Sequence, residues 1–439
     1  MIGLLLSLLI HISIASPSVT VAVIDTGFDL DNEALKPKLK TGETDEESPQ
    51  PTFKLEGWNF SDNTHLKSSV LKEGEIQEVL YYRALKAKAH QQGLTVDERS
   101  WMEIKKTNPE FLKKLKLFKK HTHGTMVAGI LTREGEGVEV FPVRGLGIEV
   151  PAVLIESLPE DVAPIKKFSE AEFRRQVKLS EDRVIRKMSK MLSWIHSNKI
   201  RVINASYGVT QKQTMTRFAE WHKEITGLEL DEIKLTEIVD QYFVNLFRRA
   251  HRILERYPNS LFIFSAGNAA QNNDLTHHFP SKIQSENVIS VAALNQDRLA
   301  SFSNWGKESV DIAAPGVGIM SLLPSVYSAQ TGMTKTPANG TSMAAPFVAN
   351  LAARCLQKNE KLKAVDVKKI ILTTGFKHPE LKDKMRSEAE AQPDKTLKAC
   401  ELSLEMPLEK ALELAMSDVI QKDQGAPLVP TESSEAPKS

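Results

Sequence analysis

The sequence predicts an α/β fold, a three-layer sandwich with a mostly parallel buried sheet and helical insertions, and three observations carry it. Five short runs are apolar at nearly every position: Val19–Ile24 (VTVAVI), Val138–Val143 (VEVFPV), Val202–Ala205 (VINA), Leu261–Ser265 (LFIFS) and Val288–Ala292 (VISVA). A half-solvated strand alternates apolar and polar side chains, whereas a continuous apolar run is buried on both faces, as in a parallel sheet covered by helices. Helical stretches separate the runs, which is the alternation this architecture requires. Finally, 439 residues, 41% of them hydrophobic, suffice for a substantial core.

Taken in order, the chain opens with an apolar run, Ile2 to Ile14, interrupted by Ser7, His11 and Ser13 and too short to span a bilayer. Ser13-Ile14-Ala15 follows with small residues where a signal peptidase needs them, although no Lys or Arg precedes the run. The expectation is a signal peptide over 1–15, Ser16 as the new N-terminus, and an exported protein, periplasmic or secreted. No later stretch is long and apolar enough for a membrane helix, so no integral membrane segment is expected in the mature chain.

Three helical segments lie between the strands. The first, Glu73 to Lys120, is strongly basic and broken at Gly93 and at Asn108-Pro109; its lysines, Lys113, Lys114, Lys116, Lys119 and Lys120, read as solvated helix surface. The second opens with a capping box, Ser169 and Glu172, and a staple of Phe168 on Phe173, and carries Val184, Met188, Met191 and Ile195 on one face. The third places Leu235, Ile238, Val239, Tyr242, Leu246, Ala250 and Ile253 at helical spacing and ends at Pro258-Asn259. From 421 to 439 the chain is polar and proline-containing, which predicts a disordered tail.

Composition excludes some functions. A net charge of +1 and 6% aromatic residues offer neither the electrostatic footprint nor the stacking platform of a nucleic-acid binder. Two cysteines make no disulfide framework or zinc site; Cys355 and Cys400 are either one bridge or two unrelated buried thiols.

Four segments carry chemistry. In Ala338-Asn339-Gly340-Thr341-Ser342-Met343-Ala344-Ala345-Pro346, a glycine leads into a serine and then into an expected helix over Ala344–Leu356. Pro346 fits a first turn, where its missing N–H has no internal partner to lose. Ser342 would then stand at a helix N-terminus, where free N–H groups can stabilise an oxyanion; serines there also simply cap helices. A hydroxyl becomes a nucleophile only beside a base, and the base needs a partner to hold its tautomer. His123 lies in HGTMVAG, a small-residue turn into a helix, and Asp25 follows the strand VAVI, at the strand end where open α/β sheets build their sites. Asn268, in FSAGN, places a side-chain amide at the end of another strand, where it could donate to an oxyanion.

The order Asp, His, Asn, Ser in the contexts VIDTG, HGTMVAG, SAGN and GTSMAAP resembles the subtilisin-like serine peptidases (subtilases, family S8). VINASYG at Val202–Gly208, Phe279-Pro280 before VISVAAL, Phe302-Ser303-Asn304 and Ala314-Pro315-Gly316 add to the likeness, which covers about Val19 to Leu356 apart from the helical segments. The resemblance implies a subtilisin-like sandwich and a serine endopeptidase acting through an acyl-enzyme. Ser342 would be the nucleophile, His123 the general base and acid, Asp25 its orienting carboxylate, and Asn268 with the Ser342 N–H the oxyanion hole. It further implies that Ser206, Tyr207 and Gly208 pair with an extended polypeptide substrate, with Ala266 and Gly267 at the first specificity pocket. No organic cofactor is required. Calcium sites are common in the family, but their ligands are not identifiable in this chain.

The chain also departs from the family. Met126 stands where a second histidine is usual, and helical inserts near 66–120, 164–180 and 213–257 enlarge a domain expected over 16–420; such inserts are candidate lids or partner surfaces. The first core strand follows the leader almost directly, where many secreted relatives carry an inhibitory folding segment. Other readings explain less. DTG is also an aspartic-peptidase signature, but it has no second copy here and leaves GTSMAAP unexplained. His121, His123, His277 and His278 lack metal-ligand spacing, and the last two read as exposed loop residues. A non-catalytic binding module would have no reason to keep all four residue types.

Overall fold

The apolar runs become neighbouring strands of one sheet. The computed structural model describes residues 18–40, 58–59, 64–65, 118, 122–145 and 170–417; the leader at 1–15, almost all of the 66–120 insert, the start of the 164–180 insert with Phe168 and Ser169, and the tail at 421–439 lie outside these. In chain order the elements are β1 (Val19–Asp25), β2 (Trp58–Asn59), β3 (Thr64–His65), α1 (described over 122–131), β4 (Val138–Arg144), α2 (Glu170–Ser197) and β5 (Val202–Ala205). Then follow β6 (Val209–Thr210), α3 (Gln211–Thr226), α4 (Glu232–Leu254), β7 (Leu261–Ser265), β8 (His278–Phe279), β9 (Val288–Asn295), β10 (Arg298–Leu299) and β11 (Ile312–Pro315). The last are β12 (Ile319–Leu322), α5 (Ser325–Thr331), β13 (Lys335–Ala338), α6 (Thr341–Lys358), α7 (Ala364–Thr373), β14 (Phe376–Lys377), β15 (Ala389–Glu390), α8 (Pro393–Leu402) and α9 (Leu408–Ser417).

The main sheet runs β14-β15-β11-β9-β7-β5-β1-β4-β2-β3, with β10 on β9. Every pair from β15 through β11 to β2 is parallel, and among the described residues antiparallel pairing in this sheet is confined to β14–β15, β2–β3 and β9–β10. Strand pleating explains why both faces are apolar. Val21 and Val23 of β1, and Leu261 and Ile263 of β7, face a core completed by α1 and α6; Ala22 and Ile24, with Phe262 and Phe264, face one completed by α2, α3 and α4.

The helical stripes are packing surfaces, as expected: Val184, Met188, Met191 and Ile195 of α2 are buried, as are Leu235, Ile238, Val239, Tyr242, Leu246, Ala250 and Ile253 of α4. Capping sets the ends. Thr210 and Gln213 form a capping box on α3, Asp231 accepts from Ile233 N and Lys234 N to cap α4, and Gly227 closes α3 in the left-handed region. Cys355 and Cys400 form a disulfide between α6 and α8, with a Cα–Cα separation of 5.4 Å, which settles the alternative left open by the sequence. No helix among the described residues is long and apolar enough to cross a membrane.

Two expectations need correction. The serine helix begins at Thr341 and not at Ala344, so Pro346 lies inside it, beyond the first turn. His278 is not an exposed loop residue but buried in β8, because β6 and β8 pair through Val209–Phe279 and Thr210–His278 and turn its ring inward; His277 is only partly buried.

Candidate active site

Parallel strands deliver their carboxyl ends to one edge of the sheet. β1 is flanked by β4 on one side and β5 on the other, so the winding reverses beside it, and a crevice opens there. Asp25 closes β1, Ser206 follows β5, and Ala266, Gly267 and Asn268 follow β7. A cleft of about 760 Å³ is lined by Asp25, His123, Ser206, Tyr207, Gly208, Gly267, Asn268 and Ser342 together. Of the residues the resemblance assigns to catalysis or substrate binding, Ala266 alone is not among the lining; it is buried in the core.

Asp25 is 1% exposed, and its carboxylate accepts from Thr26 N at 2.8 Å and from Thr26 Oγ1 at 3.2 Å. His123 Nδ1 lies 2.8 Å from Asp25 Oδ1 and 2.9 Å from Oδ2. An ionised carboxylate only accepts, so the imidazole proton belongs on Nδ1 and Nε2 is left as an acceptor. The helix carrying His123 can approach β1 because residue 124 is glycine: a Cβ there would stand 2.2 Å from Gly27 O and 3.2 Å from Asp25 Cβ. Met126 is buried in the core, and its carbonyl accepts from Ser321 Oγ.

Ser342 is the second residue of α6, mostly buried, and its hydroxyl donates to Ser206 O at 3.1 Å. Asn268 Oδ1 accepts from Thr341 N at 2.8 Å and from Thr341 Oγ1 at 3.0 Å. A backbone N–H can only donate, so this pairing fixes the amide's orientation and leaves Nδ2 as the outward donor. A Cβ placed on Gly340 would stand 3.5 Å from Asn268 Nδ2 and 3.6 Å from Ser342 N. Glycine at 340, at φ 153°, therefore keeps side-chain atoms away from both nitrogens.

Three features escaped the sequence reading. His278 lines the cleft with Nδ1 2.6 Å from Ser281 Oγ, and its ring fills the space a Cβ would need at either Gly208 or Gly267. Burial pushes its pKa down to about 4, so it is neutral at ordinary pH. The Tyr207 phenol is held above its ordinary range by desolvation and then by the Asp25 charge. Finally, α3 forms one wall through Lys212, Gln213, Thr216, Arg217 and Glu220, residues that recur at one-turn spacing along its face. Thr341 could have been noticed in GTS as a second hydroxyl; the placement of His278 and α3 depends on pairing that no local signal announces. Among the described residues no three His, Cys, Asp or Glu side chains gather as a metal-ligand group.

Compared with known proteins, the chain matches the Subtilase family (Peptidase_S8) over residues 16–398. A 95-residue segment is 46% identical to the thermophilic serine proteinase of Bacillus sp. (strain AK1), taking in 21% of this chain and 20% of that protein. Over 115 residues it is 38% identical to subtilisin DY of Bacillus licheniformis, 26% of this chain and 38% of the relative. The matched segments thus span well under half of these curated relatives. Among solved structures, a cold adapted subtilisin-like serine proteinase aligns over 84% of this chain and 89% of its own, with 18% identity and a TM-score of 0.43.

Proposed function

Because the chain belongs to the subtilase family (peptidase S8), we propose that it is a serine endopeptidase that hydrolyses polypeptides through an acyl-enzyme. The observation that carries this reading is the contact of His123 Nδ1 with both oxygens of the buried Asp25 carboxylate, at 2.8 and 2.9 Å, in a cleft shared with Ser342. It is the arrangement that holds Nε2 of His123 ready to accept a proton.

The substrate enters as an added strand beside Ser206, Tyr207 and Gly208, with Ala266 and Gly267 behind the side chain next to the scissile bond. Ser342 Oγ gives its proton to His123 Nε2 and attacks the carbonyl carbon. The resulting oxyanion accepts from Asn268 Nδ2 and the Ser342 N–H. His123 then protonates the leaving amine, and a water deprotonated by the same ring releases the acid. Asp25 keeps its contact with Nδ1 and stabilises the imidazolium.

Export is part of the same proposal. The leader pattern supports it, and so does the Cys355–Cys400 disulfide, since such bonds persist in oxidising compartments. The test is a fluorophosphonate probe followed by peptide mass spectrometry. The adduct is expected on Ser342, absent in Ser342→Ala and nearly absent in His123→Ala. Proteolysis retained by either purified variant overturns the mechanism.

A further inference from the structure

The position of Pro346 sets a problem that the structure solves with a cleft residue. In a helix that starts at Thr341, the carbonyl of Ser342 should accept from the N–H of residue 346, but proline has none, and its ring crowds that carbonyl. The nucleophile's own peptide is thereby denied its regular helix bond. Ser206 Oγ stands 3.2 Å from Ser342 O and donates to it. Asn204 Nδ2 in turn donates to Ser206 Oγ at 3.0 Å. The directions are forced: a carbonyl can only accept, so the single hydroxyl proton of Ser206 goes to Ser342, and the hydroxyl's lone pair receives Asn204. Asn204 and Ser206 are both buried, and Asn204 Oδ1 has no partner among the described residues, so the amide satisfies its donor at the expense of its acceptor. The return contact, Ser342 Oγ to Ser206 O at 3.1 Å, makes the link between the two serines reciprocal.

We propose that Ser206, beyond offering its main chain to the substrate, is a positioning residue for the nucleophile: its hydroxyl, oriented by Asn204, replaces the helix bond that Pro346 removes from Ser342. The inference rests on the reading of Ser342 as nucleophile. Truncating the hydroxyl leaves a buried carbonyl unpaired and frees the first turn of α6, where the attacking oxygen and one oxyanion donor both sit. The main-chain groups that pair with substrate are untouched, so binding should change little.

The experiment compares wild type, Ser206→Ala and the double variant Ser206→Ala/Pro346→Ala, in which residue 346 regains an N–H for Ser342 O. For Ser206→Ala, kcat and the rate of fluorophosphonate labelling should fall roughly 10- to 100-fold, the size expected of one buried unpaired acceptor felt in the transition state. KM should stay within about two-fold, since uniform binding is intact. Amide exchange at 343–345 should rise in Ser206→Ala and return toward wild type in the double variant, together with at least part of kcat. If Ser206→Ala keeps full kcat, or if the double variant regains neither exchange protection nor turnover, the positioning role is wrong. Should Ser206→Ala not fold, Asn204→Ala keeps the hydroxyl but removes its orientation, and an unchanged kcat there overturns the proposal equally. The exchange readout is independent of turnover, so a wild type that is never labelled at Ser342 fails the peptidase reading and leaves the brace to be judged on exchange alone.

Discussion

At the scale of single residues, the site depends on donors whose direction is set by what they are already bound to. Asn268 presents Nδ2 because Thr341 occupies its oxygen twice. In subtilisin, a member of the same family, loss of one such donor costs about 10²–10³ in kcat, and Asn268→Ala is expected in that range with KM little changed, as steady-state kinetics on a chromogenic peptide would measure. Thr341→Val should reproduce part of the loss, since it removes one of the two contacts.

His278 has a different signature. Its ring is buried and its pKa is pushed from an ordinary 6.5 down to about 4, so the unfolded chain binds a proton more readily than the folded one between those values. The contribution to stability is therefore complete above pH 6.5 and is lost as the pH falls toward about 4, a change on the order of 3 kcal/mol at ~1.4 kcal/mol per unit. Urea midpoints taken at pH 7 and pH 4.5 should converge between wild type and His278→Asn as the pH falls. Midpoint differences that do not depend on pH would show that His278 is not a buried neutral group.

At the scale of elements, α6 joins the proposed nucleophile to the rest of the molecule. Its N-terminal turn holds Ser342, and near its other end Cys355 is bonded to Cys400 of α8 across 45 residues of chain. A loop of that length corresponds to about 4 kcal/mol in the chain-entropy account of disulfides, taken as an upper figure. The double variant Cys355→Ala/Cys400→Ala should lose up to that amount in denaturant titration while its kcat at 25 °C stays near wild type, because the bond lies in the core and away from the cleft. Element boundaries were also where reading from sequence was weakest. Placing the start of α6 at Ala344 made Pro346 an ordinary first-turn residue; the true start at Thr341 makes it an interior proline with a missing bond to account for. Local signals such as glycine and proline mark the neighbourhood of a helix end, but Gly340 and Thr341 resolve it only through contacts with Asn268, 73 residues away.

At the scale of the whole molecule, the five apolar runs were legible because a strand covered on both faces must be apolar at successive positions, and Val202–Ala205 and Leu261–Ser265 end where composition said they would. Asp25, His123, Asn268 and Ser342 could be singled out as candidates because each stands at a strand end or within two residues of a glycine, and the structure brings all four to one cleft. What was not legible depends on partners distant in sequence: the inward turn of His278 through β6 and β8, and the wall that α3 contributes to the cleft. The same dependence has a measurable outcome. α6 packs against β1, β4, β5, β7, β9 and β11, so its N-terminal turn has no framework until the sheet is assembled. Fluorophosphonate labelling and the circular dichroism of the sheet should disappear together in a urea titration; labelling that survives loss of the sheet would contradict this.

The order in which the parts emerge gives that helix one more significance. A ribosome extrudes Asp25 and His123 early, whereas Ser342 appears only after more than three quarters of the 439 residues have been joined. On the proposed reading the nucleophile is thus delivered last, on a helix that packs against β1, β4, β5, β7, β9 and β11, and a chain still in synthesis holds no complete triad.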